Sequence, residues 1–134
     1  MRIVAVALAV LGVPCVAFAT AESPSAQRPK TLASYCSSSG DVCFGVIKRS
    51  GVIRAEITTA ARYFSRYTLC IRPPGTGGAG SLRCGSFPVF KQAGSTWGSS
   101  VRLARQFPLI AHGICRVTWK LPSGPLGPTL RFRI

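Results

Sequence analysis

"ICRVTWKL", residues 114–121, is the stretch whose reading decides the fold. Successive side chains of a β-strand point to opposite faces. Cys115, Val117, Trp119 and Leu121 therefore share one side, and Arg116, Thr118 and Lys120 the other. The first set is apolar and belongs in a core, while the second is polar and belongs in water. One reading thus predicts two things: a sheet with a single buried face, and a cysteine packed beside Trp119 rather than offered to solvent. His112, the chain's only histidine, then stands just ahead of the strand on a loop.

Similar alternations recur outward from this strand, broken by turn residues at the short spacing of all-β chains. "DVCFGVIK" (41–48) and "VIRAEITT" (52–59) flank "RSG", a compact hairpin loop ending in glycine. "RYTLCIR" (66–72) places Tyr67, Leu69 and Ile71 on one face. "PPGTGGAG" (73–80) must be a loop, since its prolines and glycines resist regular structure. "LRCGSFPVF" (82–90) resumes an extended pattern in which Pro88 suggests an edge strand. "SSVRLAR" (99–105) and "TLRFRI" (129–134) complete the series, and "TTAARYFSRY" (58–67) has room for one helical turn. About seven short antiparallel strands in one domain predict an all-β, immunoglobulin-like sandwich of two sheets.

The start of the chain reads differently. Arg2 precedes an apolar run from Ile3 to Phe18, and Ala17 and Ala19 fit the small-residue pattern of a signal-peptidase site. Residues 1–21 are read as a secretory signal peptide, 22–33 as a flexible leader, and 34–134 as the sandwich domain. With the signal removed, the protein is expected outside the cell or in its envelope, without a membrane span. Disulfides persist there.

Two resemblances attach to these residues. "HGICR" (112–116) resembles the H-G-C-x-R signature of the L,D-transpeptidases, secreted enzymes that cross-link cell walls through a cysteine nucleophile. Here Ile114 separates Gly113 from Cys115, and the upstream histidine of that family has no counterpart. A one-residue slip turns a strand side chain to the opposite face. More of the chain, from "GDVCFGV" through "YTLCIRPPG" and "CRVTWKL" to "TLRFRI", resembles a group of small uncharacterised secreted bacterial proteins. That resemblance implies an immunoglobulin-like sandwich and supplies no catalytic residues. "GICRV" (113–117) is similar to the late-strand G-x-Y-x-V/C of immunoglobulin-like domains, with cysteine in place of tyrosine.

Past the signal remain Cys36, Cys43, Cys70, Cys84 and Cys115, an odd set that leaves at least one thiol over. Cys36 and Cys43 flank "SSSGDV", and Cys70 and Cys84 flank the Pro/Gly loop between two predicted strands. The pairings Cys36–Cys43 and Cys70–Cys84 follow, with Cys115 free and buried. No C-x-x-C spacing is present, so no metal or other cofactor is expected.

Catalytic material is sparse. The predicted domain holds two carboxylates, Asp41 and Glu56. They are read as a turn-ordering residue and a partner for a cross-strand cation rather than as an acid–base pair. Nothing resembling G-x-S-x-G is present. The alternative to a non-enzymatic protein is a small cell-wall hydrolase or transpeptidase using Cys115 and His112.

Charge is the remaining signal. Seventeen Lys and Arg face three acids, a formal net charge of +14. A field of that sign attracts polyanions. Arg54, Arg72, Arg102, Arg116, Lys120, Arg131 and Arg133 are the candidates to contact them. Anionic cell-wall polymers and lipid headgroups are the partners outside a bacterium. Sequence-specific nucleic-acid reading is not expected, because no compact basic run is interleaved with aromatics.

Overall fold

The computed structural model describes residues 28–134. The expected signal peptide, its cleavage site and the first half of the leader lie outside the described residues.

Ten strands form in chain order: β1 (Lys30–Cys36), β2 (Val42–Arg49), β3 (Val52–Thr59), β4 (Arg66–Arg72), β5 (Arg83–Pro88), β6 (Phe90–Lys91), β7 (Trp97–Arg102), β8 (Ile114–Leu121), β9 (Gly124–Pro125) and β10 (Leu130–Arg133). One turn of α-helix, α1 (Leu103–Gln106), follows β7, and Gly77–Gly80 form a 3-10 turn within the Pro/Gly loop that the sequence reading left without regular structure. Sheet A has the order β1-β2-β3-β7-β6, and sheet B the order β10-β8-β4-β5, with β9 paired to β8. All pairings are antiparallel. The architecture is the disulfide-stapled, all-β two-sheet sandwich that the alternation predicts.

Parity builds the core. Phe44, Val46, Ala55, Ile57 and Val101 point inward from sheet A, and Tyr67, Leu69, Ile71, Cys115, Val117, Trp119, Leu130 and Phe132 from sheet B. Trp119 is fully buried and stacks on Phe44, with ring centroids 4.6 Å apart, so one aromatic pair joins the layers at their centre. Its indole N–H has no hydrogen-bond partner. Tyr67 avoids that penalty by donating its hydroxyl to Ser99 Oγ of the opposite sheet at 2.9 Å. Arg49 pairs directly with Val52, leaving Ser50 and Gly51 as a two-residue turn with φ of 49° and 78°. Left-handed backbone at both positions matches the twist of a hairpin, and glycine adopts it without cost.

The strand count and two boundaries differ from the sequence reading. β1 begins at Lys30, inside the stretch read as leader, and extends the sandwich beyond the expected start at Ser34. Its register shifts between Thr31 and Ala33, so Leu32 and Ala33, adjacent in sequence, both pack against the core. The bulge breaks the period-two signal that would have marked a strand. The run "SSVRLAR" is not one strand, because β7 ends at Arg102 and Leu103 opens α1. The helical turn envisaged within 58–67 is absent; α1 stands elsewhere. Two-residue pairings, β6 and β9, are too short to carry a periodic signature. Pro88 does end a strand on a sheet edge, since β5 is the last strand of sheet B.

Both disulfides join residues directly opposite in register. Cys36–Cys43 ties the edge strand β1 to β2, and Cys70–Cys84 ties the edge strand β5 to β4. Cys115 is free and buried. Two disulfides, and no helix long and apolar enough to cross a membrane among the described residues, are consistent with an extracellular setting.

Candidate polyanion-binding face

The cysteine question is answered by the side on which the sulfur lies. Cys115 has no solvent-accessible surface, and burial pushes its thiol up to about 11. A thiol in an apolar layer stays protonated, and the protonated form is a poor nucleophile. His112 is exposed and lines a groove with Ile53, Leu109 and Ile110 near the start of β8. The two carboxylates also stand apart in role. Glu56 accepts from Ser100 Oγ at 3.1 Å on the outer face of sheet A. Asp41 sits in the turn before β2, which the serines order: Ser39 Oγ accepts from Asp41 N and Ser37 Oγ from Val42 N. The turn-ordering task expected of the aspartate side chain falls to its serine neighbours. Among the described residues, no three His, Cys, Asp or Glu side chains cluster as a metal ion would require.

The seven candidate cations divide between the two sheets. Arg54 and Arg102 face each other across β3 and β7 on the outside of sheet A. Arg54 is engaged: its Nε donates to Ser100 Oγ at 2.8 Å, and that hydroxyl passes a hydrogen bond to Glu56. Glu56 is thus joined to a cation of its own strand through a serine of the neighbouring strand, and not to the cross-strand cation expected for it.

On sheet B the register builds something different. Arg131 of β10 lies opposite Arg116 of β8, and Arg116 lies opposite Arg72 of β4. One transverse row across three strands therefore carries three outward arginines. Cross-strand Cβ atoms stand about 5 Å apart, where two unit charges in water repel by roughly 0.8 kcal/mol. The row is electrostatically unfavourable by itself. The three arginines line a cavity of about 680 Å³ with Pro73, Pro74, Gly75, Gly80 and Ile114. No carboxylate side chain borders it.

A second cavity, of about 490 Å³, lies beyond the end of β10 and is lined by Arg28, Lys30, Lys48 and Arg133 with Leu32, Ser50 and Gly51. Lys30 pairs with Lys48 across β1 and β2. Arg131 and Arg133 are two residues apart on β10, hence on the same side and about 7 Å from each other. Arg131 borders the first cavity and Arg133 the second. Lys120 stands on the outer face too, opposite Thr68, beyond the arginine row.

Arg28, Lys30 and Lys48 were not legible as contributors. Reading 30–36 as a strand would have set Lys30 beside Lys48, but the bulge hid that strand. In sequence the Pro/Gly loop is a plain connection, yet two of its glycines wall the first cavity. No family model, curated protein or solved structure matches this chain.

Proposed function

We propose that this protein is an exported, non-enzymatic module that holds anionic cell-envelope polymers on its basic surface. The observation that carries the reading is a cationic track along β10, where Arg131 borders one cavity with Arg72 and Arg116, and Arg133 borders another with Arg28, Lys30 and Lys48. A track suits a chain of charges better than a single small ion. A polymer is favoured over a membrane surface because the large exposed apolar side chains, Tyr63, Leu82, Phe90, Ile110 and Ile114, come from separate elements, and of these only Ile114 lines the arginine cavity. Export is supported by the apolar N-terminal run and by the paired cysteines. The non-catalytic half of the reading is supported by the sealed, protonated thiol of Cys115.

The test is binding to purified teichoic-acid-bearing wall fragments and to anionic lipid vesicles, each in low and high salt. The proposal expects tight binding to wall fragments at low salt, steeply weakened as salt rises, because bound cations are released when phosphates are neutralised. Absence of binding at low salt overturns it. Preference for vesicles replaces the polymer by a lipid surface.

A further inference from the structure

We propose that the Arg72–Arg116–Arg131 cavity is a discrete site for a dianionic phosphate group, rather than an undifferentiated part of the basic face. The inference rests on the polyanion reading above and narrows it to one place and one ligand chemistry.

Three observations converge. First, the register fixes the three guanidinium stems in one row on adjacent strands, so they are neighbours by backbone geometry and not by chance side-chain placement. Guanidinium forks match the oxygens of a phosphate in bidentate fashion and keep their charge at every physiological pH. Second, the cavity is lined by cations, prolines, glycines and one isoleucine, with no side-chain carboxylate to neutralise the row internally. An incoming doubly charged anion removes the repulsion that the empty row sustains. Third, the walls are held in place. The Cys70–Cys84 bridge sits two residues before Arg72 and fixes both ends of the Pro/Gly loop. Pro74 leans over Gly113, so closely that a Cβ there would stand 2.9 Å from the proline Cβ, and Gly113 itself has φ 145°. Proline rings restrict the loop, and the bare backbone of Gly75 and Gly80 leaves the cavity open to a ligand.

The experiment titrates glycerol 3-phosphate into the isotope-labelled protein at moderate salt, where diffuse attraction is screened, and follows backbone amide shifts. Saturable shifts confined to Arg72, Gly75, Gly80, Ile114, Arg116 and Arg131 are expected. Affinity should fall about tenfold or more in Arg116→Gln and change less than about twofold in Arg54→Gln. Arg116→Lys, which keeps the charge and loses the fork, should lose most of that affinity while binding wall fragments nearly as well as the parent. Affinity should also decline as pH drops through about 6, where a phosphate monoester takes up its second proton. Vesicles of phosphatidylcholine doped with phosphatidic acid form a second arm. Binding there, abolished by Arg116→Gln, assigns the phosphate to a lipid headgroup; binding of the soluble ester alone assigns it to a free phosphate monoester or one that ends a polymer chain.

The two readings fail separately. Wall-fragment binding with unsaturable or scattered shifts overturns the phosphate site and leaves the polyanion face standing. Saturable, Arg116-dependent phosphate binding without wall-fragment binding keeps the site and removes the polymer. Equal losses in Arg116→Gln and Arg54→Gln overturn the site as well.

Discussion

On the outside of sheet A, Arg54 reaches Glu56 through Ser100, and its charge is answered within the fold. On the outside of sheet B, Arg72, Arg116 and Arg131 stand in register with one another, and no side-chain carboxylate borders their cavity. The two faces come from the same basic composition and the same strand geometry. What separates them is what else stands within reach: Arg54 faces Arg102 on β7 but also has Ser100 and, through it, Glu56, whereas Arg116 has arginine on both sides. Net charge describes the whole molecule, but the register decides where charge is left over to do something.

Several substitutions sharpen or break that contrast. The largest effect is expected from the disulfides that pin the two sheet edges. On the loop-entropy model, replacing Cys70 and Cys84 by serine should cost about 3 kcal/mol, and replacing Cys36 and Cys43 about 2.5 kcal/mol, measured by denaturant unfolding. The ordering follows the sequence separations of 14 and 7 residues. Loss of the Cys70–Cys84 bridge should also weaken wall-fragment binding, since that bridge roots the loop beside Arg72. Loss of the Cys36–Cys43 bridge should leave binding nearly intact. Equal binding losses would erase the distinction between the faces.

Next in size is a pH effect from the interior. The Cys115 thiol is raised from 9.0 to about 11 by burial, so between those values the unfolded chain loses a proton that the folded one keeps. Stability should therefore be fully present below about pH 9 and decline as pH rises toward 11, by roughly 2 kcal/mol. The buried Tyr67, also raised by desolvation against the opposing Ser99 hydrogen bond, acts in the same direction at higher pH. Comparison of unfolding curves with Cys115→Ala isolates the cysteine share. A parent and variant with identical pH dependence would mean that the sulfur is solvent-accessible, and rapid alkylation of the native thiol would say the same.

The smallest effects test the two faces against each other most finely. Arg54→Gln should destabilise by about 0.5–1 kcal/mol because Ser100 and Glu56 lose their cation. Arg116→Gln should be neutral or stabilising by a few tenths of a kcal/mol, because like charges directly opposite on adjacent strands repel. Thermal unfolding of both variants checks the pair of signs. A destabilised Arg116→Gln would point to an internal partner for that arginine.

The fold was legible wherever alternation ran unbroken. β2, β3, β4 and β8 follow from period two alone, and the burial of Cys115, Val117 and Trp119 follows from parity. β1 escaped because its bulge places Leu32 and Ala33 on the core side in succession. α1 escaped because Leu103 continues the apolar alternation of β7 while the backbone turns. The site was legible only as a set of cations. Arg72, Arg116 and Arg131 are far apart in sequence, and nothing local shows that they share a row. That knowledge requires the strand order β10-β8-β4, which no pattern within a single strand contains.

The central claim is that the uncompensated arginine row, rather than basic charge at large, is where anions bind. The salt dependence of polyphosphate affinity measures it most directly, with parent, Arg116→Gln and Arg54→Gln compared on logarithmic axes. Removing a cation that neutralises a phosphate lowers the slope by about 0.7–0.9. A shallower slope for Arg116→Gln and an unchanged slope for Arg54→Gln are predicted; the same slope for both variants would contradict the account.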